Sequence, residues 1–191
     1  MTDKKSLVKL LPDLIAEEFH LPIKKEGIIR ITEEQIQATC RWVEIRMKQS
    51  VPCFCFSIDK PRKTGEGDPV FPFFNPKTAG ICSKNDAFLV CHKNQQIYVF
   101  MIELKSSNLN HYLKQIRAAQ VFFQFLIARI KLYDLCSHSL DNLQFRGLLF
   151  SSRRTPNEGT TKHQKIEYND RNGLLVTEQN CNQKYHLPLF F

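Results

Sequence analysis

Three charged residues, Asp86, Glu103 and Lys105, have the types and spacing that a hydrolytic site would need. Glu103 and Lys105 lie two positions apart at the end of an apolar segment, and side chains alternate between the faces of a strand. Both therefore project from one face. The opposite face is wholly apolar, with Tyr98, Phe100, Ile102 and Leu104. We predict a central strand covered on both faces, where a charged group is costly unless it is paired or binds an ion.

The preceding segment supplies the second carboxylate. A polar stretch at 92–96 separates two apolar segments and predicts a hairpin closed at Asn94 and Gln95. Counting outward from that turn, Asp86 lies opposite Glu103. Opposed side chains have Cβ atoms about 4.5–5.5 Å apart, where two carboxylates repel one another. A cation that prefers oxygen ligands converts this repulsion into attraction, so we predict a Mg²⁺ (or Mn²⁺) site at this pair.

This Asp…Glu-x-Lys arrangement resembles the PD-(D/E)xK nuclease superfamily, which has the restriction-endonuclease-like fold. The resemblance covers residues 32–152, with helix, strand, Asp-bearing strand, Glu-x-Lys strand, helix and strand in the family's order. It implies an α/β fold with a mixed central β-sheet flanked by helices. It also implies that Asp86 and Glu103 are metal ligands and Lys105 is the catalytic lysine. The family often adds a glutamate from the helix before the sheet, for which the candidates are Glu44 and, as alternatives, Glu34, Glu17 and Glu18.

The function implied by the resemblance is that of a metal-dependent endonuclease acting on nucleic acid, with DNA favoured over RNA. Restriction, antiviral genome defence and repair are the roles that such a compact nuclease would suit. Two alternatives stay open: a catalytically inactive nucleic-acid-binding subunit on the same fold, and a basic module that binds an acidic protein. A homodimer and a regulatory protein partner are both compatible with the sequence.

The charge balance favours a polyanionic partner. The chain has 27 Lys and Arg against 19 Asp and Glu, giving a net charge of +8 and a pI near 9.2. Two clusters of basic residues are candidates for phosphate contact, Lys60, Arg62 and Lys63 in the long loop and Arg153 with Arg154 after the last core strand. Lys114 and Arg117, near the helix start beside the expected site, are further candidates. Gln120 is the polar residue in an otherwise apolar helical stripe, and we expect it to border the catalytic site.

The elements that must position these residues follow from periodicity and turn signals. We predict one domain over 1–191, with a core at 32–152, an N-terminal helix at 7–19 and a C-terminal β extension at 153–191 that includes a hairpin around 169–173. Pro12 suggests a later start for the first helix. Thr32 is the expected N-cap of a helix that reaches about Lys48. Further predicted elements are strands at 53–58, 81–91, 97–105 and 145–152 and a helix at 110–134.

Several other classes of protein are disfavoured. Seven cysteines without a CxxC pair favour reduced, buried thiols over zinc ligands or a disulfide framework. No apolar run reaches the roughly 18 residues that span a bilayer, and the N-terminus has no secretory signal pattern. We therefore expect a cytoplasmic protein that does not enter the membrane. The chain also has neither a GxSxG elbow nor a GxxxxGK[ST] loop.

Overall fold

A computed structural model of the chain describes residues 4–59, 68, 70–106, 108–153 and 166–191. Within these residues the fold is α/β, with two mixed β-sheets and two α-helices. The helices are α1 (Leu7–Leu14) and α2 (Tyr112–Leu132). The strands are β1 (Ile28–Thr32), β2 (Trp42–Arg46), β3 (Cys53–Phe56), β4 (Ala87–Lys93), β5 (Gln96–Lys105), β6 (Leu143–Ser151), β7 (Asn169–Asp170), β8 (Leu175–Asn180) and β9 (Gln183–His186). Short 3₁₀ segments occupy Glu17–Phe19 and Leu187–Phe190.

The larger sheet has the strand order β3-β4-β5-β6-β8-β7, so β5 lies in its interior. β5 is antiparallel to β4 and parallel to β6, and α2 makes the crossover between β5 and β6. One face of β5, including Val99 and Met101, packs in a core with α1 and α2. The other face, including Phe100 and Ile102, packs against the smaller sheet, whose order is β1-β2-β9. The predicted central strand with two covered faces is confirmed.

The predicted hairpin register is also confirmed. Asn94 and Gln95 both have positive φ, at 49° and 63°, which is the backbone geometry of a two-residue hairpin turn. From this turn the β4–β5 pairs run from Lys93 with Gln96 to Ala87 with Ile102. Asp86 follows directly beyond the last pair, at the position that the sequence assigns to it.

Helix α2 follows the predicted segment because its apolar residues recur at helical spacing. Its buried positions are Ile116, Ala119, Phe123, Ile127 and Ile130. Gly147 on β6 lets this helix approach the sheet closely. A Cβ at that position would lie 3.0 Å from Cγ2 of Val176 and 3.2 Å from two carbon atoms of Ile116, so a larger residue would push the helix away.

The predicted helix from Thr32 to Lys48 is wrong. Thr32 ends β1, an irregular segment follows, and β2 occupies Trp42–Arg46. The helical spacing rested on Ile36, but this side chain is 86% exposed and contributes nothing to a core. The alternation of buried Val43 and Ile45 with polar neighbours is the pattern that determines the structure, and burial against the larger sheet overrides the helical capping signal.

The two termini differ in part from expectation. α1 starts at Leu7 with Pro12 inside it and ends at Leu14, earlier than predicted, and a separate 3₁₀ segment follows. The strand expected at 81–91 starts only at Ala87. The C-terminal hairpin is confirmed, since β7 pairs antiparallel with β8. β9 then leaves for the smaller sheet, where it runs parallel to β2, a long-range pairing that local sequence does not reveal.

No helix in the described part of the chain combines the length and apolar character needed to cross a membrane. The seven cysteines are free thiols, and Cys40, Cys55, Cys91 and Cys181 are buried. Cys53 and Cys91 are cross-strand neighbours, with Sγ atoms 3.0 Å apart. These four buried thiols pack as apolar groups in the core between the two sheets, as the sequence predicts for most of the cysteines.

Val99→Asp tests the central position of β5. Val99 is fully buried, so an unpaired carboxylate there should lower the free energy of unfolding by at least about 3 kcal/mol or leave the protein insoluble. Ile36→Asp makes a similar change at an exposed apolar residue and should melt within a few degrees of the parent. Denaturant unfolding measures both, and a Val99→Asp variant as stable as Ile36→Asp would contradict the described core.

Candidate active site

The candidate site lies at the C-terminal end of β5, where Asp86, Glu103 and Lys105 come together. Glu103 and Lys105 alternate with Met101 on β5, and Met101 packs on the α2 side of the sheet. Asp86 lies two positions before Phe88, which packs on the same side. The three residues predicted to form the catalytic group are therefore brought together, on the face that carries α2.

Glu103 is the most deeply buried charged group of the site, with 1% of its surface exposed. Nζ of Lys105 lies 2.7 Å from one carboxylate oxygen, Oε1. The second oxygen, Oε2, is buried and has no hydrogen-bond partner among the described residues. A buried acceptor without a partner costs free energy, so this oxygen is a candidate for an additional ligand.

Asp86 is held by the backbone of β5. Its own N–H donates to the carbonyl oxygen of Ile102 at 3.1 Å, and the N–H of Leu104 donates to its Oδ2 at 2.5 Å. Its other oxygen, Oδ1, forms no hydrogen bond with a described residue. Asp86 and Glu103 thus each have one oxygen fixed by the protein and one left over.

Burial makes both carboxylates hard to ionise. It raises the pKa of Asp86 to about 7, an effect strengthened by the charges of Asp59 and Glu33 and opposed by the Leu104 N–H and Lys105. Burial likewise raises the pKa of Glu103 to about 8, with the Asp86 charge adding to the rise and Lys105 opposing it. Near neutral pH the pair therefore retains protons that isolated carboxylates would lose.

Two further carboxylates near the pair were missed from sequence. Asp59 follows β3, and burial raises its pKa, with Lys84 opposing and Glu33 and Asp68 adding to the rise. The sequence does contain a signal for Asp59, because it directly follows the strand expected at 53–58. Its proximity to Asp86 depends on the pairing of β3 with β4, in which Phe56 lies opposite Phe88. This pairing was not predicted from sequence. Glu33 enters the site because β1 ends where a helix was expected.

The segment before Asp86 is fixed by a buried ion pair. Nζ of Lys84 lies 2.9 Å from Oδ2 of Asp68, and the two side chains are 9% and 4% exposed. Oδ1 of Asp68 accepts hydrogen bonds from the N–H groups of Val70 and Phe71. Nε2 of Gln115 on α2 donates to the Lys84 carbonyl oxygen at 3.4 Å, which ties this segment to the helix.

A second irregular segment, 33–41, closes the other side of the site. The N–H of Thr39 donates to Oγ of Ser106, one residue after Lys105, at 2.9 Å. Oγ1 of Thr39 also donates to Oγ of Ser152 at 2.9 Å. These bonds join the ends of β5 and β6 to the segment that begins with Glu33.

The polar character of the face continues on β6 and β8. Ser151 pairs with Lys105, is fully buried and donates from Oγ to Oε1 of Glu178 at 2.7 Å. Neither Ser151 nor Glu178 was predicted from sequence to belong to the site. Their position beside Lys105 follows from the parallel β5–β6–β8 pairing.

Glu44, expected from a helix, lies on β2 and is not brought to the pair. Val43 and Ile45 face the larger sheet, so alternation turns Glu44 away from it. Glu44 forms ion pairs with Arg30 at 3.1 Å and Lys184 at 3.4 Å. The alternatives Glu34, Glu17 and Glu18 are exposed.

Gln120 is half-buried on α2, one turn beyond Ile116, and forms no hydrogen bond with a described residue. Because α2 runs back along the sheet from the end of β5, Gln120 lies farther than Gln115 from the carboxylates. Gln115 is therefore the α2 glutamine that contacts the site, through the carbonyl of Lys84. The role predicted for Gln120 stays a prediction.

The structure describes three of the seven residues predicted to contact phosphates. Lys114 is exposed at the start of α2, on the side of the site. Arg117 donates from Nη2 to the carbonyl oxygens of Arg171 and Asn172, at 2.9 and 2.5 Å. Arg153 is exposed directly after Ser152. The remaining candidates lie outside the described residues: Lys60, Arg62, Lys63 and Arg154.

Among the described residues, no three His, Cys, Asp or Glu side chains form a group that could hold a metal ion. No protein-family model, curated protein or solved structure matches this chain. The restriction-endonuclease-like core and the roles of the site residues therefore stay predictions.

The raised pKa values predict a stability that depends on pH. Because the folded pKa values of Asp86 and Glu103 exceed their unfolded values near 4, the folded state binds more protons between about pH 4 and pH 8. The free energy of unfolding of the metal-free protein should therefore fall as pH rises through this range, by on the order of 3 kcal/mol. Denaturant unfolding in EDTA at about pH 5, 6.5 and 8.5 measures this fall.

Glu103→Gln should reduce this fall, since the amide is neutral at every pH. Glu26→Gln is the matched control, because Glu26 is an exposed turn residue. The control should retain the pH dependence of the parent. Identical slopes for the parent and Glu103→Gln would show that Glu103 does not retain its proton on folding.

Proposed function

We propose that this protein is a metal-dependent phosphodiesterase, an endonuclease that cleaves nucleic acid, with DNA favoured over RNA. Asp86 and Glu103 would hold Mg²⁺ or Mn²⁺, and Lys105 would be the catalytic lysine. The proposal includes the restriction-endonuclease-like core. A cytoplasmic role in restriction, genome defence or repair is an extension by analogy of fold.

One observation carries the proposal: two neighbouring carboxylates each have an oxygen without a hydrogen-bond partner in the described part of the chain. Oε2 of Glu103 is buried without such a partner, and the Leu104 N–H occupies only Oδ2 of Asp86. Their proximity contributes to the raised pKa of Glu103. A divalent cation would provide the missing partner and offset the repulsion, and carboxylate oxygens are the ligands that Mg²⁺ prefers.

A divalent cation bound there would supply Lewis-acid activation of a phosphate ester and of a water molecule. Asp86 is suited to bind because the β5 backbone fixes its orientation before any ligand arrives. Lys105 is 22% exposed while its ammonium group contacts Glu103. It can therefore reach both the carboxylate and the solvent side, where it would stabilise negative charge developing on a phosphate.

The charge of the chain supports a nucleic-acid substrate. A net charge of +8 attracts a polyanion, and exposed cations lie on the elements that adjoin the end of β5: Lys114 at the start of α2 and Arg153 after β6. These cations would hold the phosphate backbone while leaving the reaction to the two carboxylates. Phosphate contacts of this kind position a nucleic acid without reading its sequence.

A non-catalytic nucleic-acid-binding subunit is the second candidate, and it too rests on an observation. The ammonium of Lys105 already neutralises part of the Glu103 charge, and the described residues include no three-ligand metal group. A site with these properties could be maintained by the ion pair alone. Metal dependence distinguishes this candidate from an active nuclease.

Asp86→Asn, Glu103→Gln and Lys105→Ala test the proposal. Each should reduce Mg²⁺-dependent cleavage by at least about a hundredfold while nucleic-acid binding persists, because general acid–base and electrostatic groups contribute about that much. Mg²⁺ should raise the melting temperature of the parent and of Lys105→Ala, but not of the two carboxylate variants. Cleavage of linear and circular DNA and of RNA with Mg²⁺, Mn²⁺ or EDTA is the measurement.

Glu44→Gln is the matched control for these variants. Glu44 is also a largely buried carboxylate paired with cations, but it lies on the outer side of the smaller sheet. Its replacement should leave both cleavage and Mg²⁺-induced stabilisation near the level of the parent. Parent protein that binds nucleic acid but shows neither effect of metal would favour the non-catalytic subunit.

Replacing Lys60, Arg62 and Lys63 with alanine tests the predicted phosphate contacts outside the described residues. Binding should weaken for every sequence, and the slope of log affinity against log salt should decrease by about one unit per lost contact. Fluorescence anisotropy with labelled DNA at several salt concentrations measures the slope. An unchanged slope would show that these three residues do not contact phosphates, and would favour Arg153 and Arg154 as the contacts.

A further inference from the structure

α2 carries an apolar stripe on the face that points away from the sheet. Val121, Phe125 and Leu132 are 65%, 63% and 71% exposed, although each is a large apolar side chain. Together with Ala118 and Ala128 they recur at alternating spacings of three and four residues, which is the pattern of a helix–helix seam. The buried positions of α2 lie on a different face, so this α2 stripe is not part of the described core.

When two copies of α2 pack antiparallel, the large side chains of one stripe lie opposite smaller or similar side chains of the other. With the twofold axis between residues 126 and 127, Phe125 lies opposite Ala128 of the second copy and Val121 lies opposite Leu132. Each large side chain thus meets a smaller or complementary one, which is what close helix packing requires. A shorter overlap would leave Leu132 or Val121 uncovered.

The charges around the α2 stripe favour the same orientation. α2 contains no Asp or Glu; its first turns carry Lys114 and Arg117, and its last turn carries Arg129 and Lys131. Beyond its last turn lie Asp134 and Asp141, whose side chains are 78% and 72% exposed although each also contacts a lysine. Antiparallel packing places these carboxylates near Lys114 and Arg117 of the other helix. It also sets the positive end of each helix dipole beside the negative end of the other, whereas parallel packing would set like ends together.

We propose that the α2 stripe is a homodimer interface, occupied by the α2 of a second copy of this chain in antiparallel orientation. The helix has 21 residues and is about 31 Å long, enough for a seam of several layers. The two candidate active sites would then lie at opposite ends of the helix pair. This inference does not depend on nuclease activity.

Sedimentation of the full chain from about 1 to about 100 µM should show a concentration-dependent dimer. Phe125→Glu should raise the dissociation constant of the dimer at least about a hundredfold, because two unpaired carboxylates would be buried in each seam. Ala128→Gln should also weaken the dimer by filling the space for Phe125. Both positions are exposed in one copy, so both variants should melt close to the parent temperature under dissociating conditions.

Phe73→Glu is the matched control, since Phe73 is another exposed phenylalanine, at 76%, outside α2. It should dimerise like the parent. A parent that is monomeric throughout the range would overturn the proposal, because the stripe would then serve another partner. Phe125→Glu and Ala128→Gln variants that both dimerise like the parent would also overturn it.

Cysteine cross-linking tests the orientation with two matched substitutions. In the antiparallel dimer, Ala128→Cys places two thiols beside the twofold axis, whereas Ala118→Cys places them about 25 Å apart along the helix pair. Mild oxidation should therefore cross-link Ala128→Cys efficiently and Ala118→Cys no more than the parent with its native cysteines. Equal cross-linking of both variants would indicate parallel helices and contradict the proposed interface.

Discussion

The cost of burying the Glu103 carboxylate inside a central strand is the constraint on which the rest of the site depends. Glu103 is 1% exposed on a strand that is covered on both faces, and within the described residues only one of its oxygens has a partner. Lys105 offsets part of this cost through a 2.7 Å ion pair. The nearby Asp86 adds like charge, so the folded chain holds protons that its unfolded form would release. A cation bound between the two carboxylates would offset the repulsion between their charges.

The surrounding fold keeps this pair from relaxing. The backbone of β5 fixes Asp86 through Leu104, while the buried Lys84–Asp68 ion pair and Gln115 fix the segment that leads to Asp86. On the other side, Ser106 and Thr39 join the end of β5 to the segment after Glu33. The carboxylates are therefore held near each other by hydrogen bonds, ion pairs and sheet packing together, which is the preorganisation that electrostatic catalysis requires.

The local sequence pattern was sufficient to predict the positions of the central residues of the site, but not those of the residues around them. The Asp86 and Glu103 register followed from a two-residue turn and strand alternation, both properties of adjacent residues. Glu33, Asp59 and Glu178 reach the site only through pairings between distant strands. The prediction of a helix at 32–48 was wrong for the same reason, because burial of Val43 and Ile45 against the larger sheet outweighs a capping signal. The position expected for Glu44 was therefore also wrong.

Calorimetric titration of the parent with Mg²⁺ or Mn²⁺ near pH 7, in buffers of different ionisation enthalpy, tests the central claim most directly. If Asp86 and Glu103 hold protons that a metal must displace, binding should release on the order of one proton per ion, and Glu103→Gln should abolish both the binding and the release. Glu44→Gln should titrate like the parent. Binding without proton release, or binding that persists in Glu103→Gln, would contradict the claim that Asp86 and Glu103 form the metal site.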